Sequence, residues 1–321
     1  MRYFGQKLVN LLIVLFAVTF TVSLALSALP NSEERILAAK SVNPQNVEAA
    51  NAVLDELHLR DSQIEQYGYF MKDLVTGDWG VTFQGNQSIK TSIWDGLQIS
   101  LRLMIYAQII ALLLAMPIAI VSAYRNGGFF DRAATTSSFG ALSLPPYILA
   151  PLFILLFSVR WGWFTSRSEN TPLFDDPLQH FKDYFMPTLV LAIPLAATYM
   201  RLLRADLIAT LQGDFITTAR AKGLSTSRIL LGHALRPSTF SLVTAAALNT
   251  GTLVGGSLVV ETAFGLNGLG YKTVVGIFGN EFRLVQITVL ILAMVYVFVN
   301  FFVDIAYGWI DPRIRAARAL T

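Results

Sequence analysis

Few side chains in this 321-residue chain are placed to do covalent chemistry. There is no cysteine, which removes thiolate catalysis, disulfides and Cys-ligated metal centres. The three histidines, His58, His180 and His233, lie far apart and lack the spacing of metal ligands. Between Gly265 and Thr273 the chain has the glycines of a phosphate-cradling loop. Such a loop carries its lysine directly after the last glycine, and here Tyr271 separates Gly270 from Lys272. No serine, histidine and carboxylate set supports hydrolysis. The expectation is a chain with no catalytic residue, no metal and no cofactor of its own.

What remains is chemistry of position. The composition is 54% hydrophobic and only 14% charged, with mean hydropathy +0.54. Soluble domains carry roughly 25% charged residues, so the chain is expected in a membrane, where about 20 apolar residues make one helical crossing. Six stretches qualify: Leu8–Leu29, Ile99–Tyr124, Thr135–Val159, Phe185–Leu203, Phe240–Val260 and Leu284–Trp309. The fourth is interrupted by Pro187 and Pro194, which neighbouring helices can accommodate. The first run exceeds the roughly 7–15 residues of a signal peptide's apolar region, so it is read as a retained span. Two polar residues, Asn300 and Asp304, fall four apart within the sixth span and so on one face. Ionisable groups inside a membrane usually pair with neighbours, and an interhelical hydrogen bond is the expectation. Arg102, near the end of span two, can snorkel. Gly251, Gly255 and Gly256 in span five predict close helix packing.

Orientation follows from Lys and Arg in short loops. With the N-terminus inside, the cytosolic pieces hold thirteen basic residues against four acidic ones. Both termini are therefore expected in the cytosol. The segment between spans one and two is then outside. It is acidic, with a helix expected over Asn46–Leu59 and turns at Gly77-Asp78-Trp79-Gly80 and Gly85-Asn86. The predicted division is a cytosolic N-terminus with the first span (1–29), an outer cap (30–95), a five-helix core (96–310) and a cytosolic tail (311–321). The tripeptide Asn86-Gln87-Ser88 matches a glycosylation sequon, a signal too short to carry a role.

The informative loop is cytosolic and spans 204–239. Asp214 is a fitting N-cap, Lys222 suits a last turn, and Gly223 suits the left-handed position that ends a helix. Ser225 to Ser227 then cap a second helix, which Pro237 limits. Phe215, Thr217, Thr218, Ala219, Arg220, Ala221, Lys222, Gly223 and Leu224 thus form a helix and glycine turn at the membrane surface. Small Ala219 and Ala221 would let another protein approach, and Arg220, Lys222 and Arg228 offer charge pairing. The residues alone leave open an amphipathic connector lying on anionic headgroups.

Residues Thr217 to Leu224 resemble the "EAA" loop of ABC importer permeases, in the variant of oligopeptide and dipeptide permeases. The likeness continues through His233-Ala234-Leu235-Arg236, through Gly255 to Phe264, and through Gly268-Leu269-Gly270. It closes on Asn300, Asp304, Tyr307 and Asp311-Pro312-Arg313-Ile314-Arg315. The long segment after span one, with Gly77-Asp78-Trp79-Gly80, resembles the OppB/DppB type. Thr217 and Thr218 replace the consensus Glu and first Ala, and Arg236 stands where Pro is usual.

The resemblance implies an all-α type I importer permease with six transmembrane helices and a small extracytoplasmic segment between the first two. It implies a second permease, two cytosolic ATPase subunits that bind ATP and Mg, and an extracytoplasmic binding protein that delivers peptide. The helix around Ala219–Gly223 would be the coupling helix that sits in an ATPase cleft, with Phe215 and Thr217 to Leu224 as its contacts. Nickel chelates or glutathione are the alternative cargo. A secondary transporter would show inverted repeats and intramembrane acids, and a membrane scaffold would not need the loop sequence.

Overall fold

The computed structural model describes residues 2–28, 32–40, 42, 46–56, 58–83 and 85–310, apart from the side chains of 2–8, 10, 32–33 and 302–310. The helices are α1 (Arg2–Ser27), α2 (Ser32–Ala39), α3 (Val47–Glu56), α4 (Gln63–Thr76), α5 (Ile89–Tyr124), α6 (Phe129–Leu142) and α7 (Pro146–Phe153). They continue with α8 (Pro177–Leu211), α9 (Asp214–Ala221), α10 (Thr226–Arg228), α11 (Leu235–Leu248), α12 (Thr250–Phe264), α13 (Leu269–Phe278) and α14 (Phe282–Ile310). Ile154–Arg160 and Ile229–Ala234 are π-helical. Among the described residues the one extended pairing is an isolated bridge from Val81 to Ser88.

The chain forms two compact units, Met1–Ser100 with Asn267–Phe298, and Leu101–Leu266 with Val299–Thr321. In the first, Leu37, Ala50 and Leu54 make a small core with Val42, Val53 and Leu59. Of the apolar positions expected to pack in Asn46–Leu59, Ala50, Val53 and Leu54 are there, Val47 is exposed, and Leu57 lies outside the described residues. Helix α4 was not anticipated. It opens on a capping box: the Glu65 N–H donates to the Ser62 hydroxyl, and the Glu65 carboxylate accepts from the Ser62 N–H at 3.0 Å. The Ser62 hydroxyl and then its backbone N–H hold the Glu65 carboxyl below its ordinary range. Gly77, at φ +80°, ends the helix.

Helix α4 is anchored on α1, where the Thr19 and Tyr67 hydroxyls meet at 2.8 Å and Phe16 and Phe20 lie edge-on to Tyr67. The Leu269 N–H donates to Ser100 at 2.8 Å and Lys272 to Ser92 at 2.9 Å, tying α13 to α5. Arg283 of α14 donates to Asp73 of α4.

The second unit is built on α8, whose span is 67% buried. Helices α6, α7, α11 and α12 pack on it. Pro187 and Pro194 do not interrupt it, because buried neighbours surround both turns. Gly256 brings α12 close to α8, where a methyl group would meet Leu191 at 3.1 Å, but Gly255 faces open space. The close-packing role predicted for the span-five glycines thus holds at Gly256. Arg102 is half-buried and donates to the Tyr184 hydroxyl.

Among the described residues, Ile89–Tyr124, Pro177–Leu211 and Phe282–Phe301 are long and apolar enough to cross a bilayer. Two bent pairs raise the number to five. The pair Phe129–Leu142 with Pro146–Arg160 bends by 99°, and Thr226–Leu248 with Thr250–Phe264 by 45°. The sequence treats both as continuous spans. Pro145-Pro146 forces the first break, because a residue before proline leaves the helical region and a proline starts a helix well. At the second, the Asn249 amide donates to the Ala245 carbonyl at 2.8 Å, and the Thr252 hydroxyl donates to the Asn249 carbonyl at 2.7 Å.

Candidate functional site

Helix α8 ends at Leu211, and a tight turn over Gln212 and Gly213 leads into α9. Gly213, not Asp214, is the N-cap; Asp214 is the first helical residue, where its charge still favours the helix N-terminus. A methyl group on Gly213 would meet the Phe215 ring at 2.8 Å, so a larger residue there would displace that exposed ring.

The far end of α9 follows the sequence closely. Lys222 is the C-cap and Gly223 takes φ +74°. The Gly223 N–H donates to the Arg220 carbonyl at 2.9 Å and the Leu224 N–H to the Ala219 carbonyl at 3.3 Å. These two bonds satisfy the last carbonyls of the helix in the Schellman pattern. Ser225 takes the N-cap position of α10 without a side-chain capping bond, and the helix continues through the π segment Ile229–Ala234 into α11. Pro237 does not limit this helix, which runs on through it from the π segment into α11.

One face of α9 belongs to the chain itself. Ile216 is fully buried and Ala219 only 7% exposed, packed beside the Ile229–Ala234 segment. The close approach that Ala219 allows is therefore made by the chain's own π segment. Phe215, Thr217, Thr218, Arg220, Ala221, Lys222 and Gly223 are exposed, and Leu224 is half-buried. Phe215 is the large apolar side chain that α9 exposes, with 51% of its surface accessible. Below the loop, the Thr210 and Ser238 hydroxyls meet at 3.0 Å and close its base between α8 and α11.

A cleft of about 660 Å³ lies beside the loop, lined by Arg220, Leu224 and Thr226 together with Tyr124, Asn126 and Gln212. Asn126 leads to a clamp that the sequence did not reveal. Asp131 of α6 is 3% exposed and accepts from Arg204 of α8 twice, Nε to Oδ1 at 2.5 Å and Nη2 to Oδ2 at 2.7 Å. Ser122 and the Gly127 N–H also donate to Asp131, the latter at 2.8 Å, and Arg204 donates to Asn126 at 3.1 Å. The contact is bidentate, the strong form of such a pair, with the Asp131 side chain buried and that of Arg204 23% exposed. It fixes the α5–α6 turn to α8 two helical turns before the loop.

The predicted intramembrane polar pair lies partly outside the described residues. Asn300 is half-buried, and the side chain of Asp304 is outside the described residues, as are the motif residues from Asp311 onward.

Comparison with known proteins bears on this geometry. Residues 115–316 match the family of binding-protein-dependent transport system inner membrane components. The dipeptide transport system permease protein DppB of Alkalihalophilus pseudofirmus is 28% identical over 98% of this chain and 99% of its own length. The glutathione transport system permease protein GsiC of Escherichia coli is 30% identical, again over 98% of this chain and 99% of its own. Among solved structures, an inward-facing MetNI methionine ABC transporter chain aligns with TM-score 0.56 and 21% identity, covering 68% of this chain and 96% of that one. That likeness carries the fold. The chain therefore belongs to the binding-protein-dependent transport system inner membrane components: it is a multi-pass membrane protein and a permease subunit of an ABC importer, not an enzyme.

Proposed function

We propose that this chain is one of two permeases forming the path of an ATP-driven peptide importer. An extracytoplasmic binding protein delivers the peptide, and two cytosolic ATPase subunits bind ATP and Mg and drive the cycle. The observation that carries this reading is the division of α9 into a face packed on the chain and an exposed face headed by Phe215. An aromatic side chain on a short helix pinned at both ends suits a pocket on another protein. Six spans follow if α1, the two bent pairs and the three long helices each cross once, with both termini cytosolic and the segment around α2 to α4 outside. Near-full-length similarity to dipeptide and glutathione permeases favours peptidic cargo, glutathione included.

Purification of the tagged chain from native membranes should recover a second permease and two ATPase subunits, identified by mass spectrometry. Phe215→Asp should lower ATPase recovery about tenfold or more, the scale of losing an interface anchor. Full recovery with Phe215→Asp would remove α9 as the coupling helix.

A further inference from the structure

A cavity of about 450 Å³ opens between α5 and α11 in the second unit. Leu112, Met116, Val243 and Ala246 make its walls apolar. Three polar side chains interrupt them: Gln108, Thr239 and Thr250. The Gln108 amide oxygen accepts from the fully buried Tyr199 hydroxyl at 3.2 Å. Its Nε2 is then left buried with no partner. An unpaired amide donor in apolar surroundings is expensive, and such groups in a folded protein need a reason. The threonines present the opposite capacity. The Thr239 hydroxyl donates to the Arg236 carbonyl at 2.8 Å and the Thr250 hydroxyl to the Ala246 carbonyl at 3.3 Å, so each oxygen retains lone pairs.

We infer that this cavity is a transit site for the peptide backbone, with the Gln108 amide donating to a substrate carbonyl. The inference rests on the peptide-importer reading above. The site offers one strong donor, hydroxyl acceptors and no charged lining residue. That set complements a neutral peptide group. It provides no counter-charge for a terminal ammonium, a carboxylate or a metal chelate. A site that grips the backbone and leaves side chains in an apolar space passes peptides of differing sequence.

The test uses the complete transporter with its binding protein in proteoliposomes. ATP-driven uptake is measured for trialanine and for the same tripeptide with one carbonyl replaced by the weaker acceptor thiocarbonyl. The binding protein's own preference is common to all variants and cancels between them. The wild type should penalise the thiocarbonyl peptide about fivefold more than Gln108→Met does, the size of one hydrogen bond. Because each variant is its own reference, partial folding does not alter the ratio. Gln108→Glu, which keeps the acceptor for Tyr199 but lacks the donor, should match Gln108→Met. Equal penalties in the wild type and both variants would overturn the inference and leave the importer standing. Failure of the wild type to import either peptide would overturn both. The chain lacks cysteine, so Val243→Cys reports on the cavity alone. Cross-linking of that thiol to the second permease in every nucleotide state would put a protein face there and overturn the transit site.

Discussion

Arg204→Ala is expected to destabilise the protein by about 3–5 kcal/mol, because it leaves the Asp131 carboxylate buried without its counter-charge. Only Ser122 and the Gly127 N–H would still donate to Asp131, against four donated bonds in the intact clamp. At roughly 2 °C per kcal/mol for a chain of this size, the unfolding midpoint of the solubilised complex should fall by about 5–10 °C. Arg204→Lys should lie between, since an ammonium cannot make the bidentate contact. Asp131→Asn combined with Arg204→Ala should cost less than the two changes summed, because the second removes a charge the first has already orphaned. Peptide uptake should fall in step, as the clamp anchors the end of α8 from which the α9 loop springs. A midpoint shift below about 1 °C for Arg204→Ala would mean that the pair carries no structural weight.

The second large effect is at Gly223. A methyl group there would meet nothing within 4 Å, so substitutions act through the backbone alone. A β-branched residue held at φ +74° costs about 1–3 kcal/mol. Gly223→Val should therefore open the turn that ends α9 and cut uptake about tenfold or more, with the protein still inserted in the membrane. Asparagine visits the left-handed region more readily than other side chains. The expected order of uptake is Gly, then Asn, then Ala, then Val. If valine supports uptake equal to glycine in reconstituted vesicles, the geometry of this turn does not matter for coupling.

The sequence makes Gly223 legible because helix termination is local: a glycine after a basic last turn has few other uses. The apolar spans are legible for the same reason, since each crossing is written in about 20 consecutive residues. Breaks within them are harder to read. Pro187, Pro194 and Pro145 are the same residue type, yet α8 runs through the first two while the chain bends 99° after Leu142. What differs is the packing around them and the doubling at Pro146, neither of which a proline alone announces. Helix α4 had a local signature in Ser62 and Glu65 that could have found it. The Asp131–Arg204 clamp had none. Its partners lie 73 residues apart, and a lone aspartate between two arginines in a loop resembles any solvated charge. Ala219 shows the limit from the other side: smallness predicts close approach without saying whose surface approaches.

The most direct test is ATP-dependent peptide uptake by the complex purified through this chain and reconstituted with its binding protein. Accumulation of a labelled di- or tripeptide that requires ATP, and that Phe215→Asp or Gly223→Val reduces about tenfold, is the expected result. Uptake that proceeds unchanged without ATP, or a chain that purifies with no ATPase subunit, would contradict it.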